Sequence, residues 1–203
     1  DLYTPAGVYL NLLGERTEFS SSPSFLLESV IGGERLGRYS YIGIAPKDGI
    51  VIKDGVISDP LRAIQDKVSK MIVRTPDLPP FTGGYVGYIA YEVISSFEDT
   101  VLTTNPDVLG VPDAVLFNYN HIIAFDHVRN ELKVIGNIHI EDLSDLEEQY
   151  KDVTSKIDQI VDLIQSPLPL ENKSSENKVR DNSVESNFSK EEYLEAIEKA
   201  KEY

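Results

Sequence analysis

The sequence predicts an α+β fold, with mixed or antiparallel sheets packed against flanking helices. Two observations carry this. Segments of strand character come in runs separated by only occasional helices, without the regular strand–helix alternation of a parallel sheet. The helical segments announce themselves independently, through caps and single apolar stripes. At 203 residues and 41% apolar content, the chain has enough material for one substantial core, or for one domain plus the start of another.

In order along the chain, Thr4 followed by Pro5 opens a short helix through "AGVYLNLL", with Thr as cap and Pro at the first helical position. The stretch "SFLLESVIGGERLGRYSYIG" (24–43) reads as strand, Gly-Gly turn and returning strand, and "GIVIKDGVI" carries a hairpin signal at Asp54-Gly55. Asp59-Pro60 starts a helix striped by Leu61, Ile64, Val68 and Ile72, and Pro76, Pro79 and Pro80 then break the chain. Residues 114–140 read as two long strands, "AVLFNYNHIIAF" and "ELKVIGNIHI", turning around Val128 to Asn130. A capping box at Ser144 and Glu147 opens a helix with Leu146, Tyr150, Val153, Ile157, Ile160 and Ile164 on one face.

This gives a domain over 1–165, followed by a Ser/Asn/Glu/Lys-rich linker over 166–187. A helix begins at 188–203, where Ser189 and Glu192 form a capping box, Phe188 and Tyr193 a hydrophobic staple, and no stop signal follows. A helix so well begun and left open predicts a longer parent protein.

A net charge of −15 argues against a general nucleic-acid surface and against anionic lipid. No apolar run approaches the ~18 residues that would mark a membrane span, and no basic-then-apolar leader is seen. With zero cysteines there is no disulfide, thiolate metal site or cysteine nucleophile. The expectation is a soluble cytoplasmic protein.

Most apparent motifs have plain structural readings. "GGERLGRY" has the glycine separation of a phosphate loop, but Arg38 and Tyr39 stand where Lys and Ser/Thr are needed, and the segment feeds a strand. "GGYVGY" lacks dinucleotide spacing, so Gly83, Gly84 and Gly87 are read as sites of a bulge or close backbone approach. His121, His127 and His139 are expected to be ordinary surface histidines rather than metal ligands. The acidic run "IEDLSDLEEQYKD" reads as a solvated helix face. No Ser-His-Asp arrangement can be assembled.

The feature that resists a plain reading is Glu28-Ser29. Phe25 and Leu27 fall on one face of a strand and Leu26 on the other, which predicts a strand covered on both sides. A carboxylate and a hydroxyl at the end of such a strand are costly unless hydrogen-bonded, and a ligand could supply the partner. The competing reading places both at the solvent end of the strand.

Leu26-Leu27-Glu28-Ser29, ten residues and then Ser40, together with "GGYVGYIAYEVISSFE", resembles the N-terminal half of anthranilate synthase component I. The resemblance covers nearly all of the chain, and it implies the N-terminal portion of the helix-covered β-sandwich of chorismate-utilising enzymes. It further implies a lyase of tryptophan biosynthesis converting chorismate and an amide nitrogen into anthranilate and pyruvate. Mg2+ would be held by carboxylates beyond Tyr203, with no catalytic residue in this segment. A separate glutamine amidotransferase subunit, component II, would carry the cysteine nucleophile that this chain lacks.

In that family the Leu-Leu-Glu-Ser element forms part of a feedback site for L-tryptophan. By resemblance the inhibitor contacts are Glu28 and Ser29, with Tyr39 and Ser40 of second rank. Alternatives are aminodeoxychorismate synthase component I, which uses the same substrate, a free-standing amino-acid-sensing module, and a structural domain whose Glu-Ser pair binds nothing.

Overall fold

The computed structural model describes residues 3–14, 17–31, 35–53, 60–68, 75–98, 100–101, 107–140, 144–167 and 186–202. The chain divides into two compact units, Asp1–Pro169 and Leu170–Tyr203.

In the first unit, α1 (Pro5–Leu12) begins as predicted, with the Thr4 hydroxyl accepting from the Gly7 amide at 3.1 Å. Among the described residues seven strands follow: β1 (Phe25–Ile31), β2 (Arg35–Gly43), β3 (Asp48–Ile52), β4 (Gly84–Ile89), β5 (Ala114–Tyr119), β6 (His121–Asp126) and β7 (Glu131–Gly136). Two further helices belong to this unit, α2 (Pro60–Val68) and α3 (Leu146–Gln165), with a 3₁₀ turn at Tyr91–Ser96. The strands form two antiparallel sheets, ordered β1-β2-β6-β7 and β3-β5-β4. The α+β architecture stands.

One face of the four-stranded sheet is the main core. Register places Leu26, Ile42, Ile123 and Val134 in one row across its four strands. Val8 and Leu12 of α1 and Ile160 and Ile164 of α3 pack over that face, all buried. The apolar stripe of α3 works as its spacing predicts, although Tyr150 at its start is exposed. The smaller sheet buries Ile50, Ile52, Ala114 and Leu116 beneath Ile64 of α2.

Four details depart from the sequence reading. The segment 114–125 is not one strand: it breaks at Asn120, and β5 and β6 lie in different sheets. The break is held by polar groups. The Asn120 carbonyl accepts from the Asn137 amide at 2.9 Å and its side-chain Nδ2 at 3.0 Å, and Nδ2 also donates to the Thr82 carbonyl at 2.6 Å. Likewise β7 ends at Gly136 rather than continuing to Ile140. In α3 the cap position is Asp145, without a side-chain cap bond, in place of the Ser144–Glu147 box.

Fourth, among the described residues β1 is an edge strand bonded only to β2, and Leu27 is 50% exposed, so the strand is not covered along both sides. One face meets the helices; on the other, Phe25 packs against Phe81 and Tyr119, and the cover stops short of Leu27.

Glycines behave as read from "GGYVGY". A Cβ on Gly87 would overlap the Val115 carbonyl of the neighbouring strand, and Gly83 has φ +152° with the Asn137 side chain pressed against it. The Asp54-Gly55 hairpin and residues 168–185 of the linker lie outside the described residues.

In the second unit, α4 (Lys190–Lys201) carries the predicted capping box: the Glu192 amide donates to the Ser189 hydroxyl at 3.3 Å, and the Ser189 amide to the Glu192 carboxylate at 2.8 Å. Phe188, Tyr193 and Leu194 are all exposed.

Candidate functional site

β1 and β2 separate into a wide irregularity. Glu28 pairs with Ser40 and Val30 with Leu36, so Gly37 to Tyr39 stand opposite the single residue Ser29. Bulges of this kind break the alternation of side chains and re-aim them. The Gly-Gly segment before β2 feeds a strand, as expected for a sequence that only imitates a phosphate loop.

The four predicted inhibitor contacts are divided by this geometry. Glu28 and Ser40 are cross-strand neighbours on the helix-covered side of the sheet. Glu28 is exposed, whereas Ser40 is buried, with its hydroxyl 2.7 Å from Nε2 of His127. Tyr39 is on the opposite side, its ring stacked near Tyr41 at 5.9 Å. The backbone of Ser29 lies in β1 within the irregularity; its side chain falls outside the described residues.

The side bearing Tyr39 is aromatic. Tyr41 meets Phe81 edge-on at 5.4 Å, and Phe25 meets Tyr119 of the other sheet edge-on at 4.8 Å. These contacts tie the two sheets together on the face away from α1 and α3.

At one end of this face is a cavity of about 240 Å³ between β2, the ends of β6 and β7, and the 77–79 loop. Tyr39 and Ala124 form part of its floor, and Leu78 and Pro79 part of its wall. Arg38, Arg129, Lys133, Asp77 and Asp126 bring charge to it. Three hydrogen bonds hold Arg38 to Asp126: Nε donates to both carboxylate oxygens at 3.2 Å and Nη2 to Oδ2 at 2.9 Å.

Asp126 Oδ1 also accepts from the amides of Val128 and Arg129, at 3.1 and 3.2 Å, which shapes the β6–β7 turn. The Arg38 guanidinium, aided by these amides, holds the Asp126 carboxyl down at about 2. In return the carboxylate raises the Arg38 pKa. Lys133 pairs with Glu131 at 2.8 Å. Arg129 and Asp77 have no ion-pair partner among the described residues. The sequence reading missed this cluster because its members lie far apart in the chain and match no motif.

The histidines do not converge, and none is a plain surface residue. His127 binds Ser40, His139 Nε2 is 2.9 Å from Asn120 Oδ1, and the Nε2 of His121 is buried without a hydrogen-bond partner. Among the described residues no three His, Cys, Asp or Glu side chains are grouped to hold a metal. No described helix is long and apolar enough to cross a membrane.

The decisive comparison is with the model of the chorismate-binding enzyme family, which matches residues 22–203. This chain belongs to that family. Relatives include anthranilate synthase component 1 of Thermus thermophilus, 33% identical over 213 residues, covering 100% of this chain and 42% of that protein. The Saccharomyces cerevisiae component 1 is 36% identical over 173 residues, covering 82% of this chain and 34% of that protein. The chain therefore spans well under half the length of these relatives. Among solved structures, anthranilate synthase component I of Streptococcus pneumoniae superposes with a TM-score of 0.57 at 22% identity, over 83% of this chain and 36% of that one, and agrees in fold. This chorismate-binding family member is thus similar to component I proteins in overall sequence and to one solved component I in fold.

Proposed function

We propose that this chain is the N-terminal, feedback-regulatory part of an anthranilate synthase component I. The enzyme joins chorismate to an amide nitrogen, with anthranilate and pyruvate as products. The observation that carries this reading is the similarity to component I proteins along the whole chain, and the Leu26 to Ser29 element followed by Ser40 resembles that family's signature.

The reading includes a glutamine amidotransferase partner as the nitrogen source, and magnesium, which would hold the chorismate carboxylate. The described residues do not fit a magnesium site.

Inhibition by L-tryptophan follows a two-state scheme. The inhibitor binds one arrangement of the protein more tightly than the other, and its preference, of order ~1–3 kcal/mol, is the inhibition. Ser29 and Glu28 are its proposed polar contacts, since a hydroxyl and a carboxylate together suit an amino acid's ammonium and indole N–H. The irregularity at Ser29 supports this, because a break in the ladder of this kind can re-aim the side chains beside it. Ser40 and Tyr39 are the inhibitor's second-rank contacts; Ser40 is 2% exposed, with its hydroxyl 2.7 Å from Nε2 of His127.

The test is product identification with the full-length protein, chorismate and ammonia. Anthranilate is expected; an aminodeoxychorismate product would replace the reading with its folate-pathway counterpart. Ser29→Ala should relieve tryptophan inhibition while leaving uninhibited turnover nearly intact, and unchanged sensitivity would remove Ser29 from the site.

A further inference from the structure

We propose that His127 is a positioning residue for feedback inhibition: through its hydrogen bond to Ser40 it fixes the place where the β1–β2 ladder gives way, and with it the placement of Glu28 and Ser29. The inference rests on the proposed function, since it concerns the regulation of that same site.

The ladder leaves β2 without support that something else must supply. Glu28 and Ser40 are the last regular pair before the irregularity, and Gly37 to Tyr39 have no register partner in β1. A strand segment that loses its neighbour on one side is set by what holds it on the other. Here that is the end of β6. The His127 amide donates to the Arg38 carbonyl at 2.8 Å, Asp126 grips the Arg38 side chain, and Nε2 of His127 lies 2.7 Å from the Ser40 hydroxyl. Two consecutive residues therefore hold β2 on both sides of Tyr39.

Of these ties, the bond to Ser40 is the most exacting. Ser40 is buried, and its hydroxyl has no other hydrogen-bond partner among the described residues. A buried hydroxyl that loses its partner cannot turn to water, so the strand must shift to satisfy it. The imidazole is itself held in place. Its ring lies nearly parallel to that of Phe125, at 6.4 Å and 15°, and Phe125 belongs to the main core. Ser40, and Glu28 paired with it, are thereby anchored to the core. Glu28 is exposed and has little packing of its own, and polar contacts to a ligand work only when held within about 0.5 Å of the productive geometry.

The test uses the full-length enzyme, forming anthranilate from chorismate and ammonia, with L-tryptophan as inhibitor and thermal midpoints as the folding control. His127→Ala should raise the tryptophan inhibition constant about fivefold or more, a rise exceeding any fall in kcat/KM for chorismate. His127→Gln, whose amide group takes the place of Nε2, should recover much of the loss. His127→Phe keeps the stack on Phe125 and loses the bond, so it should behave like His127→Ala, and it decides the matter if the alanine variant does not fold. In a Ser40→Ala background the change at His127 should add little, because it acts through that hydroxyl.

Inhibition of His127→Phe equal to the parent's, or an effect that persists in full in the Ser40→Ala background, overturns the inference. So does a fall in kcat/KM as large as the rise in the inhibition constant, which marks a merely structural loss. Relief of inhibition in Ser29→Ala with none in the His127 variants defeats this inference and leaves the proposed function standing. A parent enzyme that tryptophan does not inhibit defeats the feedback reading, and this inference with it.

Discussion

Arg38 on β2 grips Asp126 at the end of β6 through both carboxylate oxygens, with the shortest bond at 2.9 Å, although the two residues are 88 positions apart in the chain. The carboxylate also accepts the two amides that close the β6–β7 turn. One ion pair thereby joins the β2–β6 ladder to the turn that positions Arg129.

This pair predicts an acid transition. The Asp126 carboxyl is held at about 2, below its ordinary value of 3.8, so the folded state binds the proton less readily than the unfolded state. The stabilisation is complete above about pH 4 and fades as pH falls towards 2. In acid titrations followed by circular dichroism, Asp126→Asn should be less stable than the parent at pH 7, and the difference should shrink over that window.

A second pH dependence comes from His121. Burial lowers its pKa below 6.5, helped by the positive charge of Lys156, and its buried Nε2 has no hydrogen-bond partner. Protonation therefore favours the unfolded chain. Stability from this residue is complete above about pH 6.5 and declines as pH drops below it. Urea midpoints at pH 7.5 and 5.5 should differ more in the parent than in His121→Leu.

The packing of α3 against the main sheet gives a prediction of size. Ile160 is fully buried between the sheet and α1, so Ile160→Ala should cost about 2–5 kcal/mol. Gly136→Ala acts from the opposite direction. Its methyl would run into Val153 Cγ1 and Ile157 Cδ1, and overpacking of this kind costs about 1–3 kcal/mol. Urea denaturation of the two variants checks both values.

The corner at Asn120 is predicted to depend on one side chain. Asn137→Ala removes the donor shared by the carbonyls of Thr82 and Asn120, and should destabilise by about 1–3 kcal/mol. Faster hydrogen exchange confined to the ends of β5, β6 and β4 would distinguish loss of this corner from general weakening.

Local chemistry made much of this fold legible. Thr4-Pro5 starts α1 and the Ser189–Glu192 box starts α4 because caps act between residues three positions apart, within reach of sequence inspection. The apolar period of α3 and the glycine positions in β4 were readable for the same reason. The Ser144–Glu147 pair has identical spacing yet is not the cap observed, since Asp145 takes that position.

The candidate site was less accessible. Glu28 and Ser29 stood out because they are adjacent and interrupt an apolar run. Arg38, Asp77, Arg129 and Lys133 did not, because each is an ordinary charged residue in its own neighbourhood. Only the tertiary fold, through the β2–β6–β7 pairing and the 77–79 loop beside it, makes them neighbours.

By itself, the sequence determined the α+β class, the helix starts, the alternation of β1 and the signature shared with component I, because each is a property of residues close in the chain or of a fixed pattern. Tertiary structure decided that 114–125 bends between two sheets, that β1 stands at an edge, and that Ser40 spends its hydroxyl on His127. Those outcomes depend on hydrogen bonds between segments up to about a hundred residues apart, and no local propensity encodes which distant carbonyl or carboxylate will be there to accept them.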